Sequence, residues 1–484
     1  MTPFTYFLLA SACNSVVENY TNKKFCNGIA IGMFDQRAFT ARRNTGRLDR
    51  IERIQLTGRS LYVIQYQDQI MKIWIKLVIG IIIGLIIAVV IPSKQAAAVQ
   101  LANISEILIQ IARYAIFPLV FFSLTIGTYE LKLDKRVFRV YGRMFLYMIL
   151  STAVLVLVGV ISVLLFSPRI PIITIKVPPP QIPGFMETLF SIFPQNAFSV
   201  LVGDGNILLP IVVLCYILGA NLTFDRVITR PIIQLFDSLS RTFYHIISLV
   251  VEIFWVLTIC ITANVVVQIA LVENLQMYGE LILILVIDIA VVVFGIYPGL
   301  LYLIDRETNP YKLLYASLAP ALSGLITGNE YVPVGLLVKH GRENLGIPRR
   351  VGSAVYPFFA IFGRAGTALV SSVSFFLIAN SLLPSADIDF VKIFYVFAFS
   401  FIVSFALGAV PGLGTYVAIT LLCYQFDRFW PTFGLLHHYK ILEPIKILLV
   451  SFGVFVDVIT SYLTSYLICY QEGITSPKDP RDFI

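Results

Sequence analysis

Long apolar runs divide the chain from residue 71 onward. "MKIWIKLVIGIIIGLIIAVVIP" (71–92) predicts a spanning helix over about 72–92 that stops at Pro92. Further helices are predicted over 101–129, 141–166, 232–271 and 279–303, each reaching the roughly 18 to 20 apolar residues that about 30 Å of hydrocarbon requires. The runs are continuous in Leu, Ile, Val and Phe rather than alternating with polar residues, so they predict helices and not barrel strands. "SPRIPIITIKVPPPQIPG" (167–184) holds too many prolines to be helical throughout and reads as a loop. Broken apolar pieces follow over 186–222.

From residue 312 the pattern changes, because Gly, Pro, Ser and Thr interrupt the apolar runs. The segments are 315–337, 354–379, 404–423 and 443–468. Of these, 315–337 and 404–423 are too broken for one straight span but long enough for a helix, a turn and a helix back. Lipid offers no partner to free N–H and C=O groups, so such backbone must be buried in protein or line a cavity. Two facing hairpins of this kind are how secondary transporters build a midplane site from half-helix ends. A channel would call for a ring-forming filter sequence, and none stands out.

Composition agrees with an all-α integral membrane protein: 58% of the 484 residues are hydrophobic and 13% charged, with a mean hydropathy of +0.84. The net charge of +8 is concentrated in 130–143, 224–231, 304–312 and 338–350. Loops rich in Lys and Arg stay cytoplasmic, which puts these four on one face and accounts for the basic balance without nucleic acid. Six cysteines, at 13, 26, 215, 260, 423 and 469, lack ligand spacing and read as small buried hydrophobes. His437 and His438 have no further ligand nearby and read as a solvated loop pair. No nucleophile and base stand at a recognisable spacing, and there is no phosphate loop or G-K-[ST], which argues against an enzyme, a cofactor or ATP-driven transport.

Residues 1–70 carry arginines at 37, 42, 43, 47, 50, 53 and 59 but no spanning run or helical stripe, and read as an extension foreign to the rest. "FTYFLLASAC" (4–13) has no basic residue before it and is short for a leader. The abrupt start of the membrane pattern predicts Met71 as the physiological start, with 1–70 dispensable or untranslated. Residues 471–484 follow the last apolar run as a cytoplasmic tail.

Four strings in order resemble the dicarboxylate/amino acid:cation symporters, the glutamate transporter family, over roughly 71–470. "RYAIFPLVFFSLTIG" (113–127) is similar to the family's second helix, with its P-L-V-F-x-S-L. "SIFPQNAFSVLVGDGNILLPIVVLCYILGANL" (191–222) resembles the P-x-N and G-N-x-L stretch of helix four. "PVGLLVKHGRENLGIPRRVGSAVYP" (333–357) resembles the exit of the first hairpin into helix seven, and "GAVPGLG" (408–414) the tip of the second hairpin. The resemblance implies eight transmembrane helices, two re-entrant hairpins, an inside N-terminus in the cytoplasmic (inner) membrane, a homotrimer and an elevator-like mechanism. It implies that 71–300 is mainly scaffold and trimerisation helices, with helix three in the transport domain, and that 301–470 is the transport core.

The family's functional residues carry over in part. Its unwound helix seven reads Asn-Met-Asp-Gly-Thr, where this chain has Gly363, Arg364, Ala365, Gly366 and Thr367. The Asn and the sodium-binding Asp are absent. Helix three offers Ser151 and Thr152 at the third sodium site, with Met148 in the tyrosine slot. In helix eight Asp457 matches the family's last Asp, while Gly453 and Leu449 take the slots of the sodium-binding Asn and the substrate-gripping Arg. Lys446 stands in for that arginine or pairs with Glu443. The first hairpin's serine run becomes "SGLITGNE" (323–330), keeping Ser323, Thr327 and Asn329 and adding Glu330.

An arginine at bilayer depth is unfavourable by about 2.5 to 3.5 kcal/mol on insertion scales, so Arg364 should face the interior with a carboxylate partner, Asp457 or Glu330. It either supplies a fixed positive charge, replacing a bound sodium or gripping an anionic substrate, or ties helices together as a structural ion pair. Ser323, Thr327 and Asn329 either line the substrate site or cap hairpin half-helices. Pro411, Gly412 and Gly414 form a turn that can also gate. The candidate substrate-binding set is therefore Ser323, Thr327, Asn329, Arg364, Thr367, Gly412 and Asp457. The candidate cation- or proton-coupling set is Ser151, Thr152, Gly363, Gly366, Glu330 and Asp457. The expected activity is symport of a small amino acid or dicarboxylate with altered coupling to Na+ or H+; the alternative is a relative that binds a ligand or partner without transporting.

Overall fold

Pro118 interrupts the second apolar run, because it has no N–H to give and its ring would strike the carbonyl of Tyr114 four residues back. The chain accordingly breaks at Tyr114–Ala115, between helices Lys94–Arg113 and Ile116–Leu133. The computed structural model describes residues 51–56, 59–64, 71–171, 193, 196–202, 208–382, 389–407, 414–431, 434–475, 481 and 483–484. Two units separate by contacts, 1–70 and 71–484. In the first, strands β1 (Ile51–Leu56) and β2 (Arg59–Ile64) pair antiparallel, Leu56 opposite Arg59. This hairpin departs from the tail-like expectation, and both runs carry the Ile, Leu, Tyr and Val that suit a strand.

In the second unit the described secondary structure is helical. In chain order they form α1 (Ile73–Val90), α2 (Lys94–Arg113), α3 (Ile116–Leu133), α4 (Val137–Phe166), α5 (Leu209–Asn221) and α6 (Arg226–Ala270). α7 (Gly279–Val291) continues through a π-helical turn into α8 (Tyr297–Ile304). Then come α9 (Pro310–Thr327), α10 (Val332–Leu345), α11 (Arg349–Phe362), α12 (Ala365–Leu382), α13 (Phe390–Ala406), α14 (Gly414–Phe429) and α15 (Lys446–Gln471). Among the described residues seven helical runs are long and apolar enough to cross a bilayer, and α5 and α13 are shorter apolar helices.

Burial separates these runs by role. The most apolar window of α1 is only 28% buried, whereas that of 349–382 is 94% buried and that of 435–471 is 78% buried. α11, α12 and α15 therefore form the centre, and α1 to α8 expose apolar flanks suited to lipid. α9 and α10 pack as a hairpin, α13 and α14 as another, and α15 lies against α9 and α12. α6 instead packs along α1, α2 and α3, while α4 lies chiefly against α12. The basic loops 130–143 and 338–350 meet at one end: Arg349 pairs with Glu130 at 3.3 Å and with Asp237, and Arg350 pairs with Asp134. Beyond α15, Phe483 stacks on Tyr315 at 6.0 Å and the Ile484 N–H donates to Asn344 Oδ1 at 3.1 Å. The end of the expected tail is thus packed on the first hairpin.

Candidate substrate and coupling site

α11 ends at Gly363, and Arg364 occupies the break before α12. The Arg364 N–H reaches the Phe362 carbonyl at 3.0 Å, and the Arg364 carbonyl accepts from Ala368 N at 2.9 Å as the first bond of α12. The first N–H groups of any helix lack partners inside it. Here Asp457 of α15 supplies them: its Oδ1 accepts from Gly366 N at 2.6 Å, and its Oδ2 accepts from Thr367 N at 3.3 Å and Thr367 Oγ1 at 2.8 Å. Asp457 caps α12 from a neighbouring helix, where the positive end of the helix dipole also favours a carboxylate.

That reach depends on a close crossing of α12 and α15. A Cβ on Gly366 would lie 2.5 Å from the Gly453 carbonyl oxygen, so backbone meets backbone and no side chain fits. Gly453, in the slot of the family's asparagine, is likewise boxed in by Thr367 and Thr415 Oγ1.

Arg364 is 1% exposed and turns toward the tip of the α9–α10 hairpin, where Nη1 donates to Glu330 Oε1. Its Nε donates to the Ile361 carbonyl at 3.3 Å. Of the two expected partners, Glu330 takes the ion pair and Asp457 takes the backbone. Nη2 is buried with no hydrogen-bond partner among the described residues, as are Thr415 Oγ1, Ser451 Oγ and Tyr331 OH. Gly414, the first residue of α14, closes over the pair: a Cβ there would lie 2.9 Å from Arg364 Nη1 and 3.2 Å from Glu330 Oε1. Both hairpins, the helix break and α15 therefore converge on one buried cluster.

The other expected residues divide. Ser323 Oγ donates to the Pro320 carbonyl and Thr327 Oγ1 to the Ser323 carbonyl, both at 2.7 Å, so each hydroxyl is used within α9. Asn329 Oδ1 accepts from Tyr331 N at 3.0 Å, a turn-capping bond. Ser151 and Thr152 face different ways. Ser151 lines an apolar cleft and bonds the Met148 carbonyl at 3.0 Å, while Thr152 is fully buried with Oγ1 unpartnered among the described residues. Lys446 lies 3.6 Å from Glu443 in the turn just before α15, both partly exposed. Leu449 is fully buried. Gly412 and Pro411 lie outside the described residues.

Sequence reasoning read Gly414 as part of a turn that can also gate, and passed over Thr415 and Ser451. It also passed over Asp288 in α7, a 3% exposed acid that accepts from Ser162 Oγ at 2.7 Å; a lone Asp within an apolar run was the available signal.

The sequence itself is similar to those of known membrane carriers. The chain is similar to the proton/sodium-glutamate symport proteins of Geobacillus stearothermophilus and Bacillus caldotenax, each 21% identical over 339 residues, or 67% of this chain and 78% of theirs. A stretch of 123 residues is 25% identical to the Homo sapiens neutral amino acid transporter B(0), covering 25% of this chain and 22% of that protein. The model of the sodium:dicarboxylate symporter family matches residues 70–468, nearly the whole second unit. The four motifs read from the sequence fall within that match, and the chain belongs to the sodium:dicarboxylate symporter family.

Proposed function

We propose that this chain is a secondary active symporter that carries an amino acid or a dicarboxylate across the cytoplasmic membrane by elevator-like alternating access, with coupling altered from sodium toward protons. This reading counts eight spans, the seven long apolar runs plus the interrupted segment around α5, and treats 310–345 and 390–429 as re-entrant hairpins. The moving body is 301–470 with α4, the rest of 71–300 is scaffold, and the assembly is a homotrimer with its N-terminus inside.

The observation that carries the proposal is the Arg364–Glu330 pair inside the helix break. A guanidinium about 4 Å from a bound cation opposes it by roughly 4 kcal/mol at an effective dielectric near 20. Tenfold in affinity is about 1.4 kcal/mol, so an unpaired guanidinium would weaken sodium by nearly three decades, and the Glu330 carboxylate paired with it offsets part of that. Arg364 then stands in for the ion, holding the break where the family has its Asn and Asp. Its unpartnered Nη2, with the free hydroxyls of Thr415 and Ser451, suits the carboxylate of a substrate and replaces the grip that Leu449 lacks. One guanidinium faces the two carboxylates of Glu330 and Asp457, so one proton neutralises the cluster, and an ionisable group inside a membrane protein is a relay candidate by default. The similarity to proton/sodium-glutamate symport proteins supports the choice of ions, and together with that to a neutral amino acid transporter it supports the substrate class.

The test is uptake of radiolabelled aspartate, glutamate and neutral amino acids by the full chain in proteoliposomes under an inward proton or sodium gradient. Concentrative uptake under the proton gradient is expected. Substrate binding without accumulation under either gradient would overturn the proposal in favour of a non-transporting relative.

A further inference from the structure

Outside the buried cluster, an apolar cleft opens between α4, α8 and α15. Leu150 and Val154 of α4, Leu300 and Ile304 of α8, and Leu463 and Leu467 of α15 form its walls. Leu150, Leu300 and Ile304 remain exposed, so the cleft faces the hydrocarbon and not the protein interior. Tyr147 lies at its rim, where its hydroxyl accepts from Gln471 Nε2 at 2.5 Å.

One turn before Tyr147 along α4, the chemistry reverses. Arg136, Arg139 and Arg143 recur at helical spacing on one face, and all three converge on Glu472 just past α15, at 3.3, 3.9 and 2.5 Å. The Glu472 side chain is 2% exposed, whereas that of Arg139 is 63% exposed, so the acid is the buried hub and the guanidiniums form the outer surface. One carboxylate against three guanidiniums leaves two positive charges uncompensated within the cluster. Arg349 and Arg350 lie at the same end of the molecule, which the positive-inside effect makes cytoplasmic.

We propose that this cleft and its arginine mouth form a binding site for one anionic phospholipid of the inner leaflet. The headgroup phosphate sits on Arg139 and Arg143, and an acyl chain fills the cleft past Tyr147. Charge complementarity selects the headgroup, since basic pockets between spanning helices on the cytoplasmic side favour anionic lipids. Continuity from the guanidiniums into an apolar wall selects a lipid over a soluble anion, which would leave the cleft unfilled. Ser151 also lines the cleft, but Arg364, Glu330, Thr367 and Asp457 do not, so the inference does not rest on which substrate is carried.

A Leu300→Trp variant of the full chain, in vesicles of unlabelled phosphatidylcholine, reports on the cleft through quenching by phosphatidylglycerol or phosphatidylcholine brominated on the acyl chains. Half-quenching is expected at a mole fraction of brominated phosphatidylglycerol about fivefold or more below that of brominated phosphatidylcholine. Arg139→Gln/Arg143→Gln should remove the difference. The unaltered chain, examined by native mass spectrometry from a mixed-lipid extract, should retain phosphatidylglycerol in preference to phosphatidylcholine, a readout that needs no substitution. Identical quenching curves, or no preference in the retained lipid, would overturn the proposal. So would abolition of the preference by millimolar glycerol 3-phosphate, which would make this a soluble-anion site.

Discussion

Replacing Glu330 with Gln tests the buried ion pair at its weakest point. The Arg364 side chain is 1% exposed and that of Glu330 is 4% exposed, so solvent cannot replace the lost charge. Removing one partner of such a pair costs about 3 to 5 kcal/mol, because it strands the other charge. Gln keeps an amide oxygen that can still accept from Nη1, which puts the expected loss near the lower end, about 3 kcal/mol. At 1.4 kcal/mol per decade this raises the unfolded population roughly a hundredfold. Arg364→Met should be comparably damaging alone, since it strands the carboxylate. The double variant Glu330→Gln/Arg364→Met removes both charges and should recover much of the loss, giving a coupling energy of about 1 to 3 kcal/mol. Pulse proteolysis in detergent reads the unfolded fraction for all four proteins. A Glu330→Gln protein within about 0.5 kcal/mol of wild type, or a double variant equal to the sum of the singles, would refute the pairing as the feature that holds the break.

Other outcomes follow from the same geometry. Gly366→Ala puts a methyl 2.5 Å from the Gly453 carbonyl oxygen; it should destabilise the protein by about 1 to 3 kcal/mol and abolish uptake by prising α12 off Asp457, which thermal melts with uptake assays check. Asp305, past the end of α8, is pushed up by burial, but hydrogen bonds from Tyr466 and Thr308 and from the Thr308 and Glu307 N–H groups outweigh this and hold its carboxyl below the ordinary aspartate value. A depressed folded value contributes stability that is intact above about pH 3.9 and fades as pH falls through the lower folded value. Asp305→Asn should therefore lower the melting midpoint at pH 7, with the gap to wild type closing in acid; a gap unchanged down to the lowest pH the protein tolerates would contradict this.

The interruption at Gly363–Arg364 was legible through the resemblance, since these residues fall in the slots of the family's unwound helix seven. The sequence reading did not settle the partner of Arg364. Glu330 and Asp457 both satisfy the demand for a carboxylate, and only the seating of the α9–α10 hairpin decides between them. The capping role of Asp457 was hidden for the same reason: the N–H groups it serves belong to another helix, 91 residues away. The break at Tyr114 was legible through Pro118 but was outweighed by the apolar run around it. Ser151 and Thr152 are neighbours in sequence and part on the helix, since successive residues face about 100° apart. Gly414 shows the opposite limit, for its turn chemistry is local while its contact with a distant ion pair is not.

The central claim is that the charge of Arg364 occupies the role of a bound sodium. It is tested most directly by the initial rate of substrate uptake into proteoliposomes at a fixed proton gradient, as sodium is raised from zero to 100 mM with choline as the balancing ion. The account predicts substantial uptake without sodium and a rate that stays flat as sodium rises. Uptake that is absent without sodium and saturates with it would show that the cluster still builds a sodium site around the arginine, and would contradict the claim.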